Sequence, residues 1–188
     1  MVNKLEEENE NPIDALILKS IDKHIHLYKN VPPNLITTVS LLIGIISGYY
    51  LYYDKYLTAG LLFFLAYYVD CMDGKVARKY NKETLFGDFY DHFSDVFKVV
   101  AVFYVLYGKD KMKFKKYILL AIVLYVLMVY QFGCQQSLYS NEDSKEIFLN
   151  IIKFNKNKCV KLIQDTKFFG SGTFILVTTF IIIFWRNI

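Results

Sequence analysis

Residues 70–95 read DCMDGKVARKYNKETLFGDFYDHFSD and lie between two strongly apolar runs. The stretch includes two pairs of aspartates at helical spacing: Asp70 with Asp73, and Asp91 with Asp95. Residues three or four apart share one face of a helix, so each pair projects from a single helical face. The sequence therefore places four carboxylates on two neighbouring helical segments beside apolar sequence.

The apolar runs have the length of membrane spans. Three of them carry no charged side chain and are close to the ~20 residues that a helix needs to cross a bilayer: 35–53, 117–140 and 168–185. Residues 56–78 and 84–107 reach spanning length only when the segments with the aspartates are included. We therefore predict an all-α fold, a polytopic membrane helix bundle of five to six transmembrane helices; either residues 145–166 include a poorly hydrophobic sixth helix or the bundle is shortened.

The N-terminal segment differs from the rest in composition. Residues 1–31 are rich in charged side chains and predict a cytoplasmic arm with an amphipathic helix, followed by a transmembrane domain at 32–188. The helix either lies on the membrane surface or packs against the cytoplasmic face of the bundle, with Asp14 on its polar side. Pro33 is expected to begin the first transmembrane helix.

The charge distribution bears on topology and partners. Most lysines and arginines lie in the arm and in the loops near 78–83 and 140–167, which favours a cytoplasmic position for these segments. The Lys-rich stretch at 108–116 falls on the opposite side and conflicts with that rule. The net charge of +4 is modest, and no nucleic-acid partner is expected.

Three cysteines complete the composition: Cys71, Cys134 and Cys159. Their spacing matches neither a metal site nor a disulfide framework, so we expect reduced thiols.

The four aspartates need compensation. Carboxylates this close together in a medium of low dielectric constant repel one another and lose hydration, so a cation or protons must neutralise them. Two divalent cations would balance the charge, and oxygen ligands suit Mg²⁺ or Mn²⁺. Counting from the turn near residue 81 at ~1.5 Å per residue puts Asp73 level with Asp91, with Asp70 and Asp95 deeper.

Two alternatives to a metal site remain open for these acids. One is a set of salt bridges to Lys75, Arg78 and Lys98, which leaves carboxylates in excess. The other is a proton or divalent-cation pathway, for which intramembrane acids are typical.

Small residues accompany the acids. Gly74, Ala77 and Gly87 lie on the same faces and leave space for a nucleotide to approach the backbone. Glycines in membrane helices also serve helix packing, so both interpretations are kept.

The full pattern resembles a family signature. Asp70-x-x-Asp73-Gly74-x-x-Ala77-Arg78, followed by Gly87-x-x-x-Asp91-x-x-x-Asp95, is similar at every defined position to the signature of the CDP-alcohol phosphotransferases, the class I CDP-alcohol phosphatidyltransferases. PNLIT at 33–37 resembles the motif that opens the first membrane helix in many members. The resemblance implies transfer of a substituted phosphate from CDP-diacylglycerol or a CDP-aminoalcohol to a lipid or small-alcohol acceptor, with release of CMP, in phospholipid biosynthesis.

The resemblance also implies residue roles. Asp95 is the expected catalytic general base. The expected ligands of two divalent cations, Mg²⁺ or Mn²⁺, are Asp70, Asp73, Asp91 and Asp95. The expected nucleotide-binding residues are Asn34, Thr37, Asp70, Gly74, Ala77, Arg78 and Gly87.

The acceptor is left open. DGK-x-AR with the Asp91-His92 pair resembles the choline and ethanolamine phosphotransferases, whereas the short chain favours a phosphatidyl transferase that uses a small alcohol. His92 is either an alternative base or an interface histidine. The glutamines at 131, 135 and 136 either bind acceptor hydroxyls or form hydrogen bonds between helices.

The expected location is the endoplasmic reticulum or a cytoplasmic membrane, with the active site facing the cytoplasm and membrane lipids around the bundle. A homodimer is one expected assembly. Two other functions are weighed: an inactive metal-binding relative, and a divalent-cation transporter that uses the same aspartates.

Overall fold

The computed structural model describes residues 10–139 and 154–187, and every regular element in those ranges is helical. The helices are α1 (Pro12–Asp22), α2 (Pro33–Tyr52), α3 (Tyr56–Lys79), α4 (Leu85–Lys109), α5 (Lys111–Tyr139), α6 (Lys156–Thr166) and α7 (Ser171–Phe184). Short 3₁₀ turns lie at Ile25–Tyr28 and Lys167–Phe169. The predicted all-α fold is confirmed.

Four helical stretches are long and apolar enough to cross a membrane: Pro33–Tyr52, Tyr56–Lys79, Lys111–Leu138 and Asn157–Phe184. The last one joins α6 to α7 through Gly170, whose backbone is extended. Helix α4 has 25 residues and comparable length, but it carries several charged side chains. A membrane helix bundle is therefore confirmed. Residues 145–153 of the segment considered for a sixth transmembrane helix lie outside the described residues, so that helix stays a prediction; α6, with 11 residues, covers most of the remainder.

Local sequence explains where the helices begin and end. Pro33 opens α2, as predicted, and the Thr84 hydroxyl caps α4 by accepting the Gly87 N–H at 3.0 Å. After α2 and α3, Asp54 and Asn81 adopt φ of 59° and 53°. Asp and Asn tolerate this left-handed conformation, and in each turn the next N–H bonds to the carbonyl five residues earlier. The connections are consequently tight.

Helix α2 is the central helix of the group formed by α2, α3 and α4. It packs closely against both α3 and α4, whereas α3 and α4 approach each other much less closely. Small residues of α2 permit this contact, and Ser40 and Ser47 donate hydrogen bonds to α3 carbonyls at 2.9 and 2.8 Å. A short turn joins α3 to α4, and both are held mainly through α2, so a cleft lined by α3 and α4 is left between them.

Helix α1 packs on the bundle, which supports the second of the two alternatives. Ile17 and Ile21 are buried. Asp14 accepts hydrogen bonds from Tyr67 Oη at 2.5 Å, from Ser171 Oγ at 2.9 Å and from the Gly172 backbone N–H at 3.2 Å. Burial raises the pKa of Asp14, and these hydrogen bonds partly oppose the rise. The expectation of Asp14 on a solvated polar face was wrong, because this carboxylate ties α1 to α3 and α7.

The prediction of reduced cysteines holds for Cys71 but was wrong for the other two. Cys134 of α5 and Cys159 of α6 form a disulfide, while Cys71 is free. The two half-cystines are 25 residues apart, so no local spacing revealed them. The sequence EIFLNIIKF at 146–154 has the pattern of an amphipathic helix, but all of it except Phe154 lies outside the described residues.

Candidate active site

A cavity of about 820 Å³ opens at the end of the bundle where α2 begins and α3 ends. All the site residues predicted from the sequence line it: Asn34, Thr37, Asp70, Asp73, Gly74, Ala77, Arg78, Gly87, Asp91 and Asp95. The segments that the resemblance identified thus meet around one space.

Three of the aspartates converge. Asp70, Asp91 and Asp95 each offer a carboxylate oxygen, and these oxygens lie within 4.8 Å of one another. The Oδ1 atom of Asp91 is buried without a hydrogen-bond partner, so a ligand is needed to satisfy it. Carboxylate oxygens suit hard divalent cations. The cluster can therefore hold a divalent cation.

Asp73 lines the same cavity but stands outside that three-residue group. It is buried, and its Oδ2 accepts a hydrogen bond from Thr37 Oγ1 at 2.6 Å. Thr37, which was predicted to bind the nucleotide, therefore orients an acid. The metal-ligand role of Asp73 stays a prediction.

Lys98 of α4 reaches into the acid cluster. Its Nζ lies 2.6 Å from Asp70 Oδ1, 2.9 Å from Asp95 Oδ1 and 2.8 Å from Ser40 Oγ. The salt-bridge alternative is therefore realised for Lys98. Lys75, by contrast, pairs with Asp22 at 2.9 Å on the surface.

Gly44 makes room for Lys98, a role that no sequence pattern indicated. A Cβ added at Gly44 would lie 2.5 Å from Lys98 Cγ, which is closer than side chains tolerate. The lysine stem thus lies directly against the α2 backbone. From the sequence, Lys98 was one of three possible salt-bridge partners of the acids, and its distance of three residues from Asp95 was the signal that favoured this pair.

The two acids bound by Lys98 differ in access. The side chain of Asp95 is 49% exposed and that of Asp70 is 10% exposed. Asp95 was expected among the deeper acids, yet it is the more accessible of this pair. A proton acceptor needs such access to its substrate.

The glycines face polar groups that line the cavity. A Cβ at Gly74 would lie 3.2 Å from both terminal nitrogens of Arg78, so the guanidinium folds back over this glycine. At Gly87 the added atom would lie 2.9 Å from Thr84 Oγ1 and 3.0 Å from Asn34 Oδ1. The atoms nearest Gly74 belong to its own helix, which favours ligand approach over helix packing at this position.

The glutamines and the histidine considered from the sequence differ in their positions relative to the cavity. Gln131 and Gln135 both line the cavity, and Gln131 also accepts a hydrogen bond from Thr166 Oγ1 at 2.5 Å, which joins α5 to α6. Gln136 is buried away from the cavity lining. His92 lies at the cavity, and its Nδ1 is 2.8 Å from the Asp88 carbonyl oxygen of its own helix.

Comparison with known proteins agrees with this geometry. An uncharacterized protein of Aquifex aeolicus (strain VF5) is 38% identical over 87 residues, which are 43% of this chain and 44% of that relative, so the match spans less than half of its length. No solved structure matches the chain. A sequence model described as CDP-alcohol phosphatidyltransferase matches residues 30–186, nearly the whole chain. The protein therefore belongs to the CDP-alcohol phosphatidyltransferase family.

Proposed function

We propose that the protein is an integral membrane enzyme that transfers a substituted phosphate from a CDP-linked donor to an alcohol, with release of CMP, in phospholipid biosynthesis. The observation that carries the proposal is the convergence of Asp70, Asp91 and Asp95 in a cavity that Arg78 and Gly74 also line. Family membership supports this class of reaction.

The donor diphosphate would lie between the acid cluster and the end of α3. Asp70, Asp73, Asp91 and Asp95 would hold two divalent cations, Mg²⁺ or Mn²⁺, which stabilise charge on phosphate oxygens when bound. Arg78 presents a planar guanidinium suited to paired phosphate oxygens. Gly74 leaves the α3 backbone open beneath that group. Asn34 and Gly87, which lie side by side at the cavity, would form the adjoining wall for the cytidine.

Asp95 would act as the general base. Lys98 fixes its Oδ1, and nearly half of the side chain is exposed, so an acceptor hydroxyl can reach the carboxylate. As the acceptor oxygen forms its bond to phosphorus, the bond from phosphorus to the CMP oxygen breaks. The hydroxyl proton passes to Asp95.

The shape of the bundle is compatible with a lipid substrate. The cavity extends from the aspartates to apolar residues of α5 and α7, among them Met128 and Phe174. The cleft between α3 and α4 would allow acyl chains to stay in the membrane. The cytoplasmic orientation of this end and the homodimer stay predictions.

CMP release tests the proposal. Purified protein in lipid nanodiscs is offered labelled CDP-diacylglycerol or labelled CDP-ethanolamine, each with a panel of alcohols that includes diacylglycerol, inositol, serine and glycerol phosphate. We expect release that depends on one donor and one acceptor class. The variant Asp91→Asn should lose it, while Asp54→Asn, at the opposite end of the bundle, should retain it. Folded protein that binds Mn²⁺ but releases no CMP with any pair would indicate an inactive relative.

Metal removal is an independent test. Excess chelator should abolish CMP release, and Mg²⁺ or Mn²⁺ should restore it, because four carboxylates exceed the single charge of Lys98 and repel a diphosphate. Full turnover in chelator would contradict the metal site.

A further inference from the structure

We propose that Lys98 is a built-in counter-cation of the acid cluster, which keeps the metal-free site folded and weakens the binding of divalent cations. The inference rests on the proposed function in that it assumes divalent cations bind the cluster. It adds a residue that lies outside the aspartate signature and assigns it a positioning role.

The contacts show that Lys98 belongs to the site. Its ammonium lies 2.6 Å from Asp70 Oδ1 and 2.9 Å from Asp95 Oδ1, and both residues are members of the convergent group. On α3, Lys75 and Lys79 are directed to Asp22, at 2.9 and 3.8 Å, while the Arg78 guanidinium lines the cavity over Gly74. One cation is therefore bonded directly to two of the acids.

The surroundings of Lys98 fix its position. The side chain is 6% exposed, and Ser40 Oγ lies 2.8 Å from Nζ. The absence of a side chain at Gly44 allows the stem to lie against α2. A lysine held on three sides has lost its rotamer freedom in the folded state already, so it holds the two carboxylates in place.

A metal ion and Lys98 need the same carboxylates. The Coulomb energy between an ammonium and a divalent ion is twice that between two single charges at equal distance, and burial limits screening. Lys98 also helps metal binding by holding two aspartates in place, but this contribution is limited to their side-chain conformational entropy, which is small for so short a side chain. Repulsion is the larger effect, so removal of the ammonium should strengthen metal binding.

The experiment compares wild-type protein with Lys98→Met and with the matched control Lys109→Met. Lys109 is on the same helix and also pairs with an aspartate, but at the other end of the bundle. Each protein is purified in nanodiscs, and its melting temperature is measured in chelator and in Mn²⁺. The affinity for Mn²⁺ is measured by calorimetry without any substrate.

We expect Lys98→Met to melt at a lower temperature in chelator, to gain more from Mn²⁺, and to bind Mn²⁺ about tenfold more tightly or better. Lys109→Met should gain as much from Mn²⁺ as the wild type. Equal or weaker Mn²⁺ binding by Lys98→Met would overturn the inference and leave the metal site intact. Absence of Mn²⁺ binding by wild-type protein would instead overturn the metal site of the proposed function, and the role of Lys98 with it.

If Lys98→Met does not fold in chelator, its recovery only when Mn²⁺ is present would support the inference, whereas failure to fold in both conditions would contradict it.

A second variant tests the inference with Lys98 left in place. Gly44→Ala keeps the charge but displaces the lysine stem, because the new Cβ would lie 2.5 Å from Lys98 Cγ. It should bind Mn²⁺ more tightly than the wild type, and unchanged affinity would contradict the proposal.

Discussion

Helix α4 carries two ion-paired lysines, one at each end of the bundle, and their surroundings differ. Lys98 is buried between Asp70 and Asp95 at the cavity. Lys109 binds Asp54 Oδ1 at 2.5 Å and the Tyr52 carbonyl oxygen at 3.0 Å, but the Asp54 side chain is 67% exposed. The same chemical pair is therefore a water-exposed clamp at one end and part of a desolvated charge cluster at the other.

Physical chemistry assigns these pairs different consequences. An exposed pair is screened by water and salt and contributes little to stability. In a buried cluster, removal of one partner leaves an uncompensated charge, which is strongly unfavourable. Acids near Lys98 should therefore dominate function and metal response, whereas acids near Lys109 should matter only for local stability.

The largest effect is expected for Asp95, at the end of the bundle that contains the cavity. Asp95→Asn keeps the shape of the side chain but removes the basic oxygen, so the rate of CMP release should fall by ~10²- to 10⁴-fold. Donor affinity should fall much less, because Asp70, Asp73 and Asp91 remain. Kinetics of CMP release and calorimetry with CDP measure the two quantities, with Asp54→Asn as control. A near-normal rate would transfer the base role to another group, such as His92.

The next effect concerns the donor pocket. Gly74→Leu would displace the Arg78 guanidinium, since even a Cβ lies 3.2 Å from its nitrogens. Loss of one charged hydrogen-bonding group corresponds to roughly 1.5–3 kcal/mol, or a roughly 10- to 100-fold loss of CDP affinity. At Gly108 an added Cβ meets nothing within 4 Å, so Gly108→Leu is the matched control. Equal CDP affinity in the two variants would mean that the pocket is misplaced.

A smaller effect is expected in stability. Asp14→Ala removes the acceptor shared by Tyr67, Ser171 and the N-terminus of α7, and leaves the buried Gly172 N–H without this partner, although Tyr67 keeps its 2.8 Å hydrogen bond to Ser171. We expect a loss of about 1–3 kcal/mol in the free energy of unfolding. Thermal melting in nanodiscs would show it, and Ser171→Ala should lose less. An unchanged melting temperature would show that α1 is not held by this contact.

The smallest effect is expected for the ion pair between Lys109 and Asp54. The hydrogen bond from Lys109 lowers the pKa of Asp54 below its ordinary value. The stabilisation is accordingly present above the pKa of the unfolded chain and is lost as the pH falls through the lower folded-state value. Lys109→Met should therefore lower the melting temperature slightly at neutral pH, and should leave it unchanged at pH values below the folded-state pKa of Asp54. A larger shift than that of Asp14→Ala would contradict the comparison between the two ends.

Local patterns predicted much of this structure. Uncharged runs predicted the spans, prolines and tight turns predicted their limits, and the spacing of the aspartates predicted which of them share a cavity. These features depend on residues close in sequence, where helical periodicity is informative.

The missed features depend on contacts between distant segments. Lys98 crosses to α2 because Gly44 and Ser40 are small there, a fact of tertiary packing. The Cys134–Cys159 disulfide, the burial of Asp14 and the position of α2 between α3 and α4 have the same origin. Periodicity states which face of a helix is apolar, but not which neighbour that face meets.

The turn after α3 has a consequence for how this chain can vary. Asn81 closes α3 in the left-handed conformation, Lys82 Nζ binds the carbonyl oxygens of Lys29 and Val31, and Thr84 starts α4. One residue inserted between them would turn α4 by about 100° about its axis. Asp91 and Asp95 would then point out of the cavity with their chemistry intact. The number of residues in this loop is therefore as strict a requirement as the identity of the acids, and length variants of the turn should be inactive without any change in composition of the site.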